Sequence, residues 1–169
     1  MHLSEKTSEH ISNNASPEQR KFIADAMLGR LARWLRIIGL DVVYEPFISD
    51  DELIARALRD NRTILTMDKK LLERKSAHNS LCIHSFDYKK QLQQVIRHYT
   101  IDVWSLVFTR CLHCNTILYP VKKEEIKERV PPYVFATSDA FETCRRCHRL
   151  FWPGTHRENM RQILNTLFH

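Results

Sequence analysis

Along the first hundred positions the spacing of apolar residues switches repeatedly between two periods, and each switch marks an element. KFIAD, at 21–25, is a short apolar run with strand chemistry. AMLGRLARWLRIIG follows with helical spacing. At about 100° per residue, Met27, Leu28, Leu31, Trp34, Leu35 and Ile38 share one face. Arg30, Arg33 and Arg36 lie opposite, on what this pattern predicts to be the solvated side, and Gly39 closes the helix. DVVYE then reads as strand, SDDELIARALRD as a helix capped by Ser49 or Asp50, TILTM as strand and DKKLLERK as a short helix. SLCIHSF and DYKKQLQQVIRHY repeat the pair once more. A β-α-β-α-β-α-β-α alternation over residues 21–99 predicts a mostly parallel sheet covered by helices and joined by right-handed crossovers.

The pattern changes near residue 105. From there the chain is organised around CLHC and CRRC, with KKEEIKER and a Pro-Pro stop between them, and ends in an amphipathic helix carrying Met160, Ile163, Leu164 and Leu167. This predicts three regions: a polar, Ser/Asn-rich and disordered tail at 1–20, an α/β domain at 21–104, and a metal-binding ribbon with a C-terminal helix at 105–169. Cys111 with Cys114, and Cys144 with Cys147, each place two thiolates on one metal, and four such sulfurs close a tetrahedral zinc site. The 29 residues between the pairs exceed the usual spacing, so the ribbon must carry an insertion, KKEEIKERVPPYVF. Four cysteines suffice and leave no open coordination position, which makes the zinc structural and keeps His113 and His148 out of its first shell. Cys82, in SLCIHSF, reads as a small core residue.

Composition narrows the partner. The 169 residues carry a formal net charge of +6, which suits a polyanion. No apolar run approaches the ~18 residues of a membrane span, and the start lacks the apolar core of a signal peptide. The expectation is a cytoplasmic chain with no membrane association; nothing in the sequence points to a protein partner.

Against this basic background three acidic positions stand out. In parallel β-α units the carboxyl ends of the strands and the N-termini of the following helices share one edge of the sheet. Asp25 ends the first strand, Asp50 and Asp51 open the helix after the second, and Asp68 ends the third. Each alone reads as a helix cap. Together they predict carboxylates that would repel one another unless a hard cation, Mg²⁺ or Mn²⁺, sat between Asp25, Asp50 and Asp68. Arg30 and Arg33 project near the same edge and are candidates for flanking phosphates. Arg145, Arg146 and Arg149 on the second knuckle, with Phe151, Trp152 and His156 beyond it, form a basic and aromatic mixture suited to RNA, although Trp152 is as readily packed inward.

The ordered series FIADAMLGRLARWLRIIGLDVVYE, SDDELIARA, TILTMDKKLL, CLHC and CRRCHRLFWPGTH closely resembles the PIN-like ribonuclease domain named for the C-terminus of the Mut-seven exonuclease. The resemblance covers about residues 21–160. It implies a PIN-like fold with an attached zinc ribbon, a metal-dependent RNase, and Asp25, Asp50 (or Asp51) and Asp68 at the family's first three acidic positions. PIN domains in general resemble four-acid sites, and this sequence offers no fourth. The leading expectation is therefore a divalent-metal-dependent ribonuclease acting through Asp25, Asp50, Asp51 and Asp68. The alternatives are a non-catalytic RNA-binding or ribosome-associated module, and a protein-interaction adaptor.

Overall fold

A computed structural model describes residues 20–168. The disordered tail expected at 1–20 therefore falls, but for Arg20, outside the described residues. Four short strands, β1 (Lys21–Ala24), β2 (Asp41–Tyr44), β3 (Thr63–Thr66) and β4 (Ser80–Cys82), form a parallel sheet in the order β2-β1-β3-β4. Successive side chains on a strand point to opposite faces. Phe22, Ala24 and Leu65 accordingly pack with α1 (Gly29–Ile37) and α4 (Tyr88–Tyr99), while Ile23 and Ile64 pack with α2 (Asp50–Arg59) and with Leu71 of α3 (Lys69–Leu72). Helices on both faces leave the central strands buried, which is why FIA and TIL read as continuous apolar runs.

α1 is shorter than its sequence pattern predicts. Residues Ala26–Leu28 form a 3₁₀ turn ahead of it. With three residues per turn instead of 3.6, that turn swings Met27 off the apolar stripe, and the side chain is 65% exposed rather than in the core. Ser49, not Asp50, caps α2: its hydroxyl accepts from the Glu52 N–H at 3.3 Å, and Asp50 is the first helical residue. Cys82 is half-buried on the edge strand β4.

The C-terminal part forms a three-stranded antiparallel sheet, β5 (Leu118–Val121), β6 (Phe141–Cys144) and β7 (Leu150–Phe151), in the order β5-β6-β7. Between β5 and β6 the inserted segment folds as a 3₁₀ stretch, Lys123–Arg129, and α5 (Pro132–Thr137), burying Ile126 and Val130 against Phe141. The last helix, α6 (Thr155–Phe168), places Met160 and Leu164 in the same apolar cluster as α1 and α4.

Arg36 departs from the sequence expectation. It is buried, 7% exposed, and its guanidinium donates from Nε to the Val42 carbonyl at 2.9 Å and from Nη1 to the carbonyls of Leu112 and His113 at 3.0 and 3.3 Å. Periodicity treats arginine as solvated; here the first cysteine knuckle covers that side of α1 and supplies the acceptors. Asn115 continues the seam. Its Oδ1 accepts from the Val42 N–H of the edge strand at 3.0 Å, and its Nδ2 donates to Asp41 at 2.7 Å. Gly39, at φ +89°, permits the close approach, since a Cβ there would lie 2.2 Å from the Leu106 carbonyl oxygen.

Candidate active site and metal centre

The strand order sets where a ligand can enter. From β1 the chain crosses to β2 on one side, and from β3 it crosses to β4 on the other, so the carboxyl ends of β1 and β3 flank a topological switch point. Asp25 and Asp68 stand there. The residue that joins them is Thr66, fully buried at the end of β3. Its hydroxyl donates to Asp25 Oδ2 at 2.8 Å and accepts from the Asp68 N–H at 2.9 Å. The Asp25 N–H in turn donates to the Leu65 carbonyl at 3.0 Å. Asp68 also caps α3, its Oδ1 accepting from the Lys70 N–H at 2.8 Å. Each of the two carboxylates keeps its other oxygen free of any hydrogen bond from the described residues.

Asp50 and Asp51 lie exposed at the mouth of α2, where Asp51 pairs with Arg74 at 2.5 Å. Among the described residues no three carboxylates bring their oxygens within 4.8 Å of one another. The fold therefore joins Asp25 and Asp68 through Thr66 and leaves Asp50 and Asp51 exposed on the same carboxyl edge, after β2.

That edge carries features the sequence did not single out. Phe47, in the β2–α2 connection, and Phe86, in the β4–α4 connection, are 97% and 84% exposed, and with Met27 they ring the carboxyl edge of the sheet. Lys69 and Lys70 open α3, and Lys89 and Lys90 lie in the first turn of α4. Cations there run against the helix dipole, which favours acids at an N-terminus. Arg30, in the first turn of α1, lies over the Tyr88 ring at 4.1 Å from its centroid. Exposed aromatics on loops were the available signal, but nothing in the sequence separates an exposed Phe from a buried one.

The other predicted arginines fall into two further places. Arg145 and Arg146 line a cleft of about 930 Å³ between β2 and the ribbon, Arg145 lying over the Tyr119 ring at 3.7 Å. Arg33, Arg149 and His156 line a separate cavity between α1, the second knuckle and α6. Phe151 packs against the cysteine cluster and Trp152 against the Phe141 cluster, both half-buried.

The four cysteines converge. Their Sγ atoms all lie within 4.8 Å of one another, with Cys111 and Cys147 3.8 Å apart, and all are free thiols. A tetrahedron with Zn–S bonds of about 2.3 Å puts sulfurs about 3.8 Å apart, so the set fits a zinc ion. Each knuckle is built alike: the Cys114 N–H approaches Cys111 Sγ and the Cys147 N–H approaches Cys144 Sγ, both at 3.4 Å, and the residue that follows, Asn115 or His148, takes a left-handed turn. Burial pushes the Cys111 and Cys114 thiols up, Cys114 to about 12, whereas at Cys144 a hydrogen bond with Thr116 and the N–H groups of Cys147 and Arg146 outweigh burial and hold it down to about 6. Burial, then the guanidinium groups of Arg149, Arg33 and Arg36, lower the pKa of His113 beside them.

A family model described as the Mut7-C RNAse domain matches residues 20–164. No curated protein matches the chain. No helix among the described residues is long and apolar enough to cross a membrane.

Proposed function

The chain belongs to the Mut7-C RNAse domain family, and from that premise we propose that it is a divalent-metal-dependent ribonuclease whose reaction centre is the crevice between Asp25 and Asp68. The observation that carries this reading is the Thr66 hydroxyl, which binds the Asp25 carboxylate and the Asp68 N–H at the switch point of the sheet; with Asp68 Oδ1 on the Lys70 N–H, one oxygen of each carboxylate is left for a hard cation. Asp50 and Asp51 complete the acidic side of the crevice from the mouth of α2. A bound Mg²⁺ or Mn²⁺ would supply an activated water and charge stabilisation for phosphodiester hydrolysis. The residues themselves orient the substrate: Arg30 meets a phosphate beside the scissile one, and Phe47 and Phe86 offer flat apolar faces to unpaired bases on either side. The four cysteines hold a structural zinc, which leaves no position for chemistry.

Two observations favour a second reading, RNA binding without cleavage. Asp68 already caps α3, and among the described residues no three carboxylates converge. Labelled single-stranded RNA incubated with zinc-loaded protein separates the two. Cleavage that appears on adding Mn²⁺ or Mg²⁺ and is absent without them supports the nuclease. Binding without cleavage at any divalent concentration supports the second reading. Omission of divalent ions serves better than a chelator, which would also strip the zinc.

A further inference from the structure

The cavity between α1, the second knuckle and the first turn of α6 has a volume of about 560 Å³, within the range of roughly 300–1,000 Å³ that holds a small ligand. Among the described residues five arginines and three histidines line it, and no aspartate or glutamate does. Only Arg157 of the five has a carboxylate partner among those residues, Glu142, and the remaining like charges repel, so an anion entering the cavity would stabilise this wall. Three of the arginines are held by the protein: Arg110 by the carbonyls of Gly39 and Asn115, Arg129 by the carbonyl of His148, and Arg157 by Glu142. The side chains of Arg33 and Arg149 are exposed and make no hydrogen bond or ion pair with any described residue, so their guanidinium forks are available to a ligand. The half-buried rings of Phe151 and Trp152 line the same cavity. The first turn of α6, at Thr155, also lines the cavity, and the N–H groups at a helix start favour an anion.

A guanidinium pair and two aromatic side chains lining one cavity suit a phosphate joined to a flat ring. We propose that this cavity is a binding site for a single nucleotide, with the phosphate on Arg33 and Arg149 and the base against Phe151 and Trp152. The site is distinct from the aspartate crevice. Arg33 stands roughly 4.5 Å further along the axis of α1 than Arg30, so one strand of RNA can reach both. The proposal rests on the ribonuclease reading only for the source of the nucleotide, which is either a residue of the RNA or a free mononucleotide.

Calorimetric titration of the zinc-loaded chain without Mg²⁺ or Mn²⁺, where no cleavage occurs, tests it. Adenosine 5′-monophosphate should bind at least tenfold more tightly than adenosine or inorganic phosphate. Arg33→Ala and Arg149→Ala should each weaken it at least tenfold while leaving zinc content and thermal midpoint unchanged, because both side chains are exposed. Trp152→Leu should weaken the mononucleotide but not phosphate. Competition by a short RNA would identify the nucleotide as part of the RNA; undisturbed binding would identify the free mononucleotide. Absence of mononucleotide binding, or affinity unmoved by both arginine substitutions, would overturn the site. Cleavage by a protein that does not bind the mononucleotide defeats this proposal alone. Binding by a protein that never cleaves defeats the nuclease reading alone.

Discussion

Thr66 ties the two crevice aspartates together through a single hydroxyl, and its loss should be felt at both. Thr66→Val keeps the shape but leaves Asp25 Oδ2 and the Asp68 N–H without that partner, which should cost about 1–2 kcal/mol of stability. RNA cleavage should fall at least tenfold in kcat, and Thr66→Ser, which keeps the hydroxyl, should restore it. Equal kcat in the Val and wild-type proteins would remove Thr66 from the site. The aspartates themselves were legible, because Asp is expensive at the end of a buried strand and so asks for a reason. Thr66 was not, because threonine is ordinary strand chemistry. Asp41 gives a pH test. Burial raises its pKa, but hydrogen bonds from Arg62 and Asn115 outweigh that and hold the carboxyl below its usual range. A folded pKa below the unfolded one contributes stability that is present above about pH 3.9 and lost as pH falls through the folded value. Chemical denaturation should therefore show wild type more stable than Asp41→Asn at pH 7, with the gap closing below about pH 4.

At the level of elements, the β-α alternation was readable because apolar period and turn chemistry agreed along residues 21–99, and the four strands and their helices appear in that order. The interior of α1 was misread at its two ends for physical reasons: a 3₁₀ turn displaced Met27, and the first knuckle buried Arg36, a long-range cover that no local period can reveal. Arg36 now joins α1, β2 and the knuckle by hydrogen bonds to three carbonyls. Arg36→Met should keep the bulk and orphan those acceptors, at a cost of about 3 kcal/mol, lowering the thermal midpoint by roughly 6–12 °C. A midpoint within a degree or two of wild type would show the seam to be held by other contacts. The connections Phe47 and Phe86 were illegible for a different reason, since exposure depends on where neighbouring loops stop.

Across the whole molecule the cysteine knuckles and the parallel sheet share one seam, so zinc and nuclease fold should be linked. Purified protein should contain one zinc per chain, and its removal by a zinc-selective chelator should unfold the ribbon and speed amide exchange at Val42, whose N–H is held by Asn115. Unchanged exchange at Val42 after zinc loss would separate the two parts. The convergence of the four cysteines was legible from spacing alone, whereas the basic cavity between α1 and α6 needed residues more than a hundred positions apart to meet. That the chain is a nuclease working through Asp25 and Asp68 is tested most directly by single-turnover cleavage of labelled single-stranded RNA in Mn²⁺ by zinc-loaded wild type and Asp68→Asn. Asparagine is itself a good N-cap, so α3 and the fold should survive while the charge is lost. The expected result is cleavage by wild type and at least a hundredfold slower cleavage by the variant at equal stability. Equal rates in the two proteins would leave Asp68 a helix cap and contradict the mechanism.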